Sequence, residues 1–282
     1  MSANTLTLVP AGGLGNRMYA VASACYLCRQ TDTHLRVLWF KDWALGAAFG
    51  QIFQDPCQPD IHITEARLLH HLTADRPRLR NLWLPRLPQY FLYQQRLDEQ
   101  EVQRRLHQHF DFAAWIRDKN SWMSNYLLLC PEARSLVPEL FHPVPQVMQD
   151  VEANTAHFGP HTFGFHIRRT DHVVATQASP TDLFIRQAKE LIDEYHDCTI
   201  YLATDSHEVK QQLVHLFGPH IITSPADAVR GNVEGIRQAL VEMYTLAETH
   251  TIYGSHRSSF SQVASIIGAI PLQPLTLEPL NP

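Results

Sequence analysis

The sequence has few of the signals that mark membrane, secreted or nucleic-acid-binding proteins. Its 282 residues contain no apolar run of about 18 residues, so no transmembrane segment is predicted. The opening residues, MSANTLTLVP, lack the basic flank and apolar centre of a signal peptide. Lys and Arg number 23 against 28 Asp and Glu, so the net charge of -5 includes no excess of the positive charge that binds nucleic acid. We therefore expect a soluble, cytoplasmic protein with no nucleic-acid partner.

Cysteine is scarce, and the odd count of five does not suggest a disulfide framework. The five are Cys25, Cys28, Cys57, Cys130 and Cys198. Cys25 and Cys28 form a CxxC pair, but they lie in an Ala-rich helical pattern without a second CxxC or a CxxH nearby. They are predicted to be buried thiols rather than metal ligands.

Several catalytic and cofactor motifs are also missing. There is no HExxH, and the His pairs at 70–71 and 107–109 lack the spacing of helical metal ligands. No GxSxG elbow supports hydrolysis through a covalent intermediate. The glycines at 12–15 match neither the dinucleotide fingerprint nor the P-loop, which disfavours an NAD(P)-type oxidoreductase. Neither a metal nor another cofactor is predicted.

The sequence does contain alternating strand-like and helix-like segments. It is 45% hydrophobic and 18% charged, as globular proteins are, and its length suits two small domains. Residues 5–9 are predicted to form a strand, 17–29 a helix and 34–40 the returning strand of a βαβ unit. Residues 42–117, which five prolines interrupt, receive no clear assignment.

The C-terminal half has the sharper pattern. A Pro-rich stretch suggests a boundary near residue 150, which divides the chain into domains 1–150 and 151–282. Strands are predicted at 162–168, 198–203, 220–223 and 251–253, with helices at 147–157, 182–195, 207–217, 232–248 and 258–267. This alternation predicts an α/β fold with a doubly wound parallel sheet. In such a sheet the ligand binds beyond the carboxyl ends of the strands.

Two adjacent arginines stand at one of these strand ends. The sequence HIRRTD puts Arg168 and Arg169 where the sheet would hold its ligand. A pair of guanidinium groups suits a diphosphate, because each donates two parallel hydrogen bonds and keeps its charge. The alternative is a surface ion pair between Arg169 and Asp171, which would add little stability. The position at a strand end favours a functional role.

Other polar segments have both a structural and a functional interpretation. The glycine loop at 12–16 could bring a phosphate or sugar close to a helix N-terminus, although a lone glycine turn is structural by default. Residues 254–262, GSHRSSFSQ, offer more hydroxyl groups than helix capping requires. Asp205 or Ser206 is predicted to cap the next helix. Glu242 either lies on an exposed helix face or offers its carboxylate to the two N–H groups of guanine.

In this order, the motifs GGLGNRM, FHIRRTD, YLATDS and SSFSQVAS resemble those of GDP-fucose-dependent fucosyltransferases. These include the α1,2- and α1,6-fucosyltransferases, the nodulation-factor enzymes and the protein O-fucosyltransferases. The resemblance covers mainly residues 160–268. It implies a GT-B fold of two facing Rossmann-like domains with parallel sheets, the donor bound mainly by the second. It also implies metal-independent, inverting transfer of fucose from GDP-fucose to a hydroxyl of a glycan, lipid-linked or protein acceptor.

The resemblance also assigns roles to individual residues. Arg168 would hold the β-phosphate with support from Arg169, and His166 and Glu242 would recognise guanine. The full set of donor-binding residues it implies is Gly13, Gly15, Asn16, Arg17, His166, Arg168, Arg169, Asp205, Glu242, Ser259, Ser261 and Gln262. Within this set, Ser261 and Gln262 would close on the same phosphate, and Asn16 and Arg17 would face the cleft.

The sequence departs from the α1,6 pattern after HIRRTD. Where those enzymes have a Lys and, a few residues on, a proposed base Glu, this chain has His172 and about Thr176. The predicted catalytic residues are therefore Arg168, with Asp171, His172 or Asp42 as the candidate base. The departure leaves open a catalytically silent GDP-sugar-binding protein. A transferase that uses another GDP-sugar is a second alternative, because nothing in the motifs recognises the methyl group of fucose. The acceptor is expected to contact residues 42–117.

Overall fold

The chain folds into two compact units, each built on a parallel five-stranded sheet. This computed structural model describes residues 4–169, 173–224 and 229–277. The first unit comprises Met1–His142 and Arg230–Val233, and the second comprises Pro143–Val229 and Glu234–Pro282. The division after His142 lies a few residues before the expected boundary. The predicted α/β class with parallel sheets is confirmed.

The N-terminal unit contains five parallel strands in the spatial order β3-β2-β1-β5-β4. They are β1 (Thr5–Pro10), β2 (His34–Trp39), β3 (Ile61–Glu65), β4 (Gln95–Leu97) and β5 (Asn120–Asn125). The helices are α1 (Leu14–Thr31), α2 (Leu68–Thr73), α3 (Arg86–Leu92), α4 (Glu99–His107), α5 (Phe112–Ile116) and α6 (Val137–Leu140), with 3-10 turns at Phe49–Gln51, Leu79–Asn81 and Pro131–Leu136.

The centre of this unit is β1 with α1. Leu6, Leu8 and Val9 of β1 are fully buried, because a parallel strand is covered on both faces of its sheet. Helix α1 has apolar residues all round and is buried along most of its length. Burial raises the pKa of the Cys25 thiol to about 12, and neither Cys25 nor Cys28 is in a disulfide, so both are the buried thiols predicted.

The C-terminal unit contains five parallel strands in the order β10-β9-β6-β7-β8. They are β6 (Thr162–Ile167), β7 (Thr199–Thr204), β8 (Ile221–Thr223), β9 (Ile252–Ser255) and β10 (Leu272–Leu275). The helices are α7 (Pro145–Thr155), α8 (Val173–Ala178), α9 (Thr181–Glu194), α10 (His207–Phe217), α11 (Val233–Ala247) and α12 (Ser259–Gly268). No helix in the described residues is both long and apolar enough to cross a bilayer.

The two faces of the C-terminal sheet carry different side chains. On one face Phe163, Phe165 and Ile167 of β6 pack into an apolar core with Phe184 of α9 and Leu213 of α10. The intervening positions of β6, which include its histidine, point to the opposite face because side chains alternate along a strand. The chain winds from β6 outward to β8 and then returns to place β9 on the other side of β6. The strand order therefore reverses between β6 and β9, which is where doubly wound sheets bind ligands.

Candidate functional site

The predicted donor-binding residues of the C-terminal unit meet at the carboxyl edge of its sheet. Arg168 follows β6, Asp205 follows β7, and Ser255 ends β9. The backbone N–H of Arg168 donates to Ser255 Oγ over 3.0 Å, and that of Arg169 donates to Asp205 Oδ1 over 2.7 Å. Side chains at the carboxyl ends of the two flanking strands thus fix the loop that carries both arginines.

The two arginines have different environments. Arg169 donates through Nε and Nη2 to Thr181 Oγ1 at 3.3 and 3.0 Å, and through Nη1 to the Arg168 carbonyl at 2.8 Å. Its guanidinium also lies 6.0 Å from the ring of Phe184, and burial lowers its pKa. Arg169 is thus attached to the start of α9 and holds the backbone of Arg168, which is itself half-buried. The alternative ion pair with Asp171 involves a residue outside the described ranges.

His166, the next-to-last residue of β6, is buried and neutral. Burial, together with the positive charges of Arg168 and Arg169, lowers its pKa to about 3, although the Asp205 carboxylate acts in the opposite direction. Its ring stacks on Phe260 of α12 with 4.6 Å between centroids. Nδ1 is buried, and no described residue bonds to it. The ring is therefore available to a neutral hydrogen-bonding ligand.

Glu242 lies on the same side of the sheet as His166. A Cβ added to Gly164 would lie 2.8 Å from Leu246, so α11 packs closely on the face of β6 that carries His166. Because α11 returns against the strand direction, Glu242, one turn before Leu246, lies nearer the carboxyl edge. Its carboxylate is buried and helps to raise the pKa of Tyr201 on β7, for which burial is the larger cause. Glu242 is thus a buried carboxylate and not an exposed helix residue.

The N-terminus of α12 is the third part of this edge. Ser258 is the N-cap residue, yet its buried hydroxyl makes no capping bond and has no partner among the described residues. Ser261 donates from Oγ to the Ser258 carbonyl over 3.2 Å, and a Cβ on Gly254 would lie 2.7 Å from that hydroxyl. Ser259 and Gln262 belong to the same first turns of the helix. The first N–H groups of α12 therefore lack a side-chain cap and can bind an anion.

Simple capping occurs instead at α10. Ser206 is its N-cap, and its Oγ accepts a hydrogen bond from the N–H of Val209 over 3.3 Å. Of the two capping candidates, Ser206 is thus the cap, while Asp205 fixes the Arg169 backbone. Thr176, which stands near the position of the base glutamate in the α1,6 pattern, donates from Oγ1 to the Arg169 carbonyl over 3.3 Å.

The glycine loop of the N-terminal unit also lies where its strand order reverses, between β1 and β5. Gly12 has φ of +79°, which favours glycine, and Gly13 is the N-cap of α1. Gly15 is buried in the first turn of α1, and the half-buried Asn16 packs against Gly12. The loop therefore makes a tight turn into the helix.

Arg17 is placed inside this unit. Its guanidinium has no exposed surface and donates to the Gly12 and Phe40 carbonyls at 2.9 and 2.5 Å and to Asp42 Oδ1 at 2.9 Å. Burial lowers its pKa to about 10 despite the nearby carboxylate. The second oxygen of Asp42 accepts from Arg76 over 2.8 Å. Arg17 thus joins the glycine loop to the end of β2, and Asp42 is held between two guanidinium groups.

The N-terminal unit contains a cavity that no sequence motif located, although most of its lining belongs to residues 42–117. It has a volume of about 690 Å³. Its lining includes Lys41, Asp42, Trp43, His71, Asp75 and Arg78. The signal that could have located it is the position of Lys41, Asp42 and Trp43 just after β2, because residues at strand ends line ligand sites in parallel sheets. No group of metal-ligating side chains occurs among residues 4–169, 173–224 and 229–277. The candidate bases Asp171 and His172 lie outside these ranges.

Comparison with known proteins gives structural relatives only, since no family model and no curated protein matches the sequence. The fucosyltransferase NodZ from Bradyrhizobium is 18% identical with a TM-score of 0.68, covering 98% of this chain and 96% of that chain. A NodZ α-1,6-fucosyltransferase structure soaked with GDP-fucose is 17% identical, with a TM-score of 0.66 and 94% and 93% coverage. POFUT1 in complex with GDP is 10% identical with a TM-score of 0.60, covering 96% and 98%. The α/β fold of two units with parallel sheets, which the motif resemblance implied, is confirmed.

Proposed function

We propose that this chain transfers fucose from GDP-fucose to a hydroxyl of a glycan or protein acceptor. The observation that carries the proposal is the meeting of Arg168, Asp205, Ser255 and the uncapped start of α12 at the reversal of strand order in the second sheet. The fold is shared with proteins whose structures contain GDP or GDP-fucose. In this proposal the C-terminal unit binds the donor and the N-terminal unit provides the acceptor side.

The diphosphate would bind between Arg168 and the start of α12. The guanidinium can donate two parallel hydrogen bonds to phosphate oxygens, and the helix N-terminus adds N–H groups and a partial positive charge. Ser258 Oγ is the buried donor available there, because the Ser261 hydroxyl already bonds to a backbone carbonyl. These groups would stabilise the negative charge that grows on GDP as the glycosidic bond breaks, which metal ions do in other transferases.

Guanine would bind between His166 and Glu242. The neutral imidazole can hydrogen-bond through Nδ1, and a carboxylate matches the two adjacent N–H groups on guanine but not the corresponding edge of uracil. The nucleotide selectivity of the site would therefore reside mainly in Glu242.

Transfer would invert the anomeric carbon. The acceptor oxygen attacks from the face opposite the diphosphate, the bond to the β-phosphate oxygen breaks, GDP leaves with the bonding electrons, and the acceptor proton passes to a base. Asp171 and His172 are the candidates for that base. Asp42 is better suited to anchoring, because both of its oxygens already accept hydrogen bonds from Arg17 and Arg76.

Thermal unfolding with nucleotides tests the proposal. In EDTA, GDP at about 100 times its dissociation constant should stabilise the protein by roughly 2.7 kcal/mol, a shift of about 5 °C, while UDP, ADP and GMP should give less. Arg168→Ala should abolish the GDP shift, whereas the exposed Arg186→Ala on α9 is the matched control and should retain it. An equal response to all four nucleotides, or to none, contradicts the proposal.

A second candidate function is GDP-sugar binding without transfer. It is favoured by Thr176, whose hydroxyl bonds to the loop backbone near the place where the α1,6 pattern has a base. GDP-selective stabilisation together with no release of GDP from GDP-fucose in the presence of any acceptor would support this alternative.

A further inference from the structure

The N-terminal unit has an unusual surface between residues 67 and 92, which comprises α2, the turn at Leu79–Asn81 and α3. We call it the 67–92 surface. Of sixteen large hydrophobic side chains that are exposed in the described residues, eleven belong to it. They are Leu68, Leu69, Leu72, Leu79, Leu82, Trp83, Leu84, Leu87, Tyr90, Phe91 and Leu92. Monomeric proteins in water rarely leave so many apolar residues together in contact with solvent, and such patches mark interaction sites.

The polarity of this surface is inverted relative to ordinary surface helices. The only buried residue of α3 is Gln89, at 2% exposure, whose Nε2 donates to the Asp75 carbonyl over 2.8 Å, while Phe91 is 77% exposed. Helix α2 has no buried residue, and Leu68 at its start is 82% exposed. A surface helix that folds in water normally buries its apolar stripe and exposes its polar residues. Here a buried polar side chain anchors α3 to the unit, and the large apolar side chains face outward.

The helical spacing places these apolar groups together. Leu68 and Leu72 are four residues apart in α2, and Leu87 and Phe91 are four apart in α3, so each pair shares a helix face. Helices α2 and α3 also contact each other. The apolar residues are therefore grouped on two neighbouring helices and are not scattered singly.

The same surface is strongly basic in an acidic protein. Residues 67–92 contain five Arg and one Asp, although the whole chain has a net charge of -5. Arg67, Arg80 and Arg86 form no ion pair with any described residue. Arg86 lies over the ring of Trp83, 4.3 Å from its centroid, which keeps the charge beside an apolar group. Arginines and aromatic rings among leucines are typical of segments at the membrane interface.

We propose that the 67–92 surface binds the face of an anionic lipid bilayer, with its leucines and aromatic rings in the acyl boundary and its arginines at the phosphate groups. A bilayer fits better than a second copy of this chain, because an isologous contact would place the unpaired arginines of two copies against each other. Anionic lipid supplies both the apolar layer and the negative charge that the surface lacks.

This membrane binding stands independently of the proposed transfer reaction. It has one consequence that rests on the proposed function. Leu72, Arg78 and Arg80 belong to both the 67–92 surface and the lining of the 690 Å³ cavity. An acceptor hydroxyl carried on a lipid would therefore be presented beside that cavity.

Vesicle flotation with the full chain tests the inference. We expect the protein to float with vesicles of phosphatidylcholine and phosphatidylglycerol at low salt, and not with phosphatidylcholine alone. Leu87→Ser with Phe91→Ser should lower binding at least tenfold. Val214→Ser with Leu216→Ser, which removes exposed apolar residues from α10, is the matched control and should not change it. Arg67→Gln with Arg86→Gln should lower binding by about fivefold per charge. GDP binding by each variant tests the proposed function separately from membrane binding.

Two results would overturn the inference. One is the absence of flotation with anionic vesicles at low salt. The other is a stable dimer of the wild type in light scattering that Leu87→Ser with Phe91→Ser dissociates, since that result would show that a second copy covers the surface. Circular dichroism of every variant confirms that lost binding is not lost folding.

Discussion

The pKa of His166, which lies beside Arg168 and Arg169, can be tested without a ligand. His166 has its pKa lowered to about 3 because the ring is buried and two guanidinium groups lie near it. In the unfolded chain the same ring titrates at the ordinary value of 6.5. His166→Phe removes the titration and keeps an aromatic ring that can stack on Phe260.

The direction of the effect follows from proton binding. Between pH 6.5 and about 3 the unfolded chain binds a proton at this site and the folded chain does not, so acid favours unfolding. Above pH 6.5 the ring is neutral in both states and costs the protein no stability. The free energy of unfolding then decreases as the pH falls toward about 3. The loss is about 1.4 kcal/mol per pH unit, so lowering the pH from about 7.5 to about 5 should cost roughly 2 kcal/mol through His166 alone.

Urea unfolding at the two pH values measures this difference. Other histidines contribute equally to both proteins, so the wild type should lose about 2 kcal/mol more than His166→Phe on acidification. The exposed His215→Phe on α10 is the control and should lose as much as the wild type. An equal loss for His166→Phe and the wild type would show that the ring is protonated in the folded protein, and the account of a neutral guanine-binding imidazole would be wrong.

Two further pairs of substitutions test the N-terminal unit. Asp42→Asn should reduce the free energy of unfolding by about 3 kcal/mol, because it leaves the fully buried Arg17 guanidinium without its carboxylate. Glu101→Gln breaks a half-exposed pair with Arg105 within α4 and should cost under about 1 kcal/mol in the same denaturation assay. Gly12→Ala should cost about 1–2 kcal/mol because φ is +79° there, whereas Gly13→Ala, with open space and φ of -75°, should cost less; equal costs in either pair would contradict the explanation.

The strands and helices after residue 160 could be predicted because their patterns are strong and local. The helix expected at 207–217 is observed as His207–Phe217, and the strand expected at 162–168 ends one residue earlier, at Ile167. Short apolar runs separated by amphipathic helices predict a parallel sheet, and the topology of that sheet decides which strand ends meet. The proximity of Arg168 to Asp205 and Ser255 therefore follows from the order of elements.

The middle of the N-terminal unit could not be predicted, and the reason is visible in β5. This strand has the sequence NSWMSN, which is polar for the interior of a sheet. Its serines are satisfied by distant partners: Ser121 Oγ accepts from Gln95 Nε2 over 2.7 Å, and Ser124 Oγ donates to Glu99 Oε1 over 2.9 Å. Such partners depend on the tertiary structure and leave no periodic signal in the sequence. The same holds for the inverted polarity of α3, where a buried glutamine replaces the expected apolar stripe.

Two buried polar atoms at the carboxyl edge of the second sheet bear on the proposed donor site. His166 Nδ1 and Ser258 Oγ are both buried without a partner in the described residues, and each such group costs about 1–3 kcal/mol. Together they would consume a substantial fraction of the roughly 5–15 kcal/mol that stabilises a typical domain. Under the proposed function, a ligand that bonds to both groups would remove this cost, so each group would contribute to the affinity for the donor. In the proposed function, His166 would serve the guanine and Ser258 the diphosphate of one donor molecule.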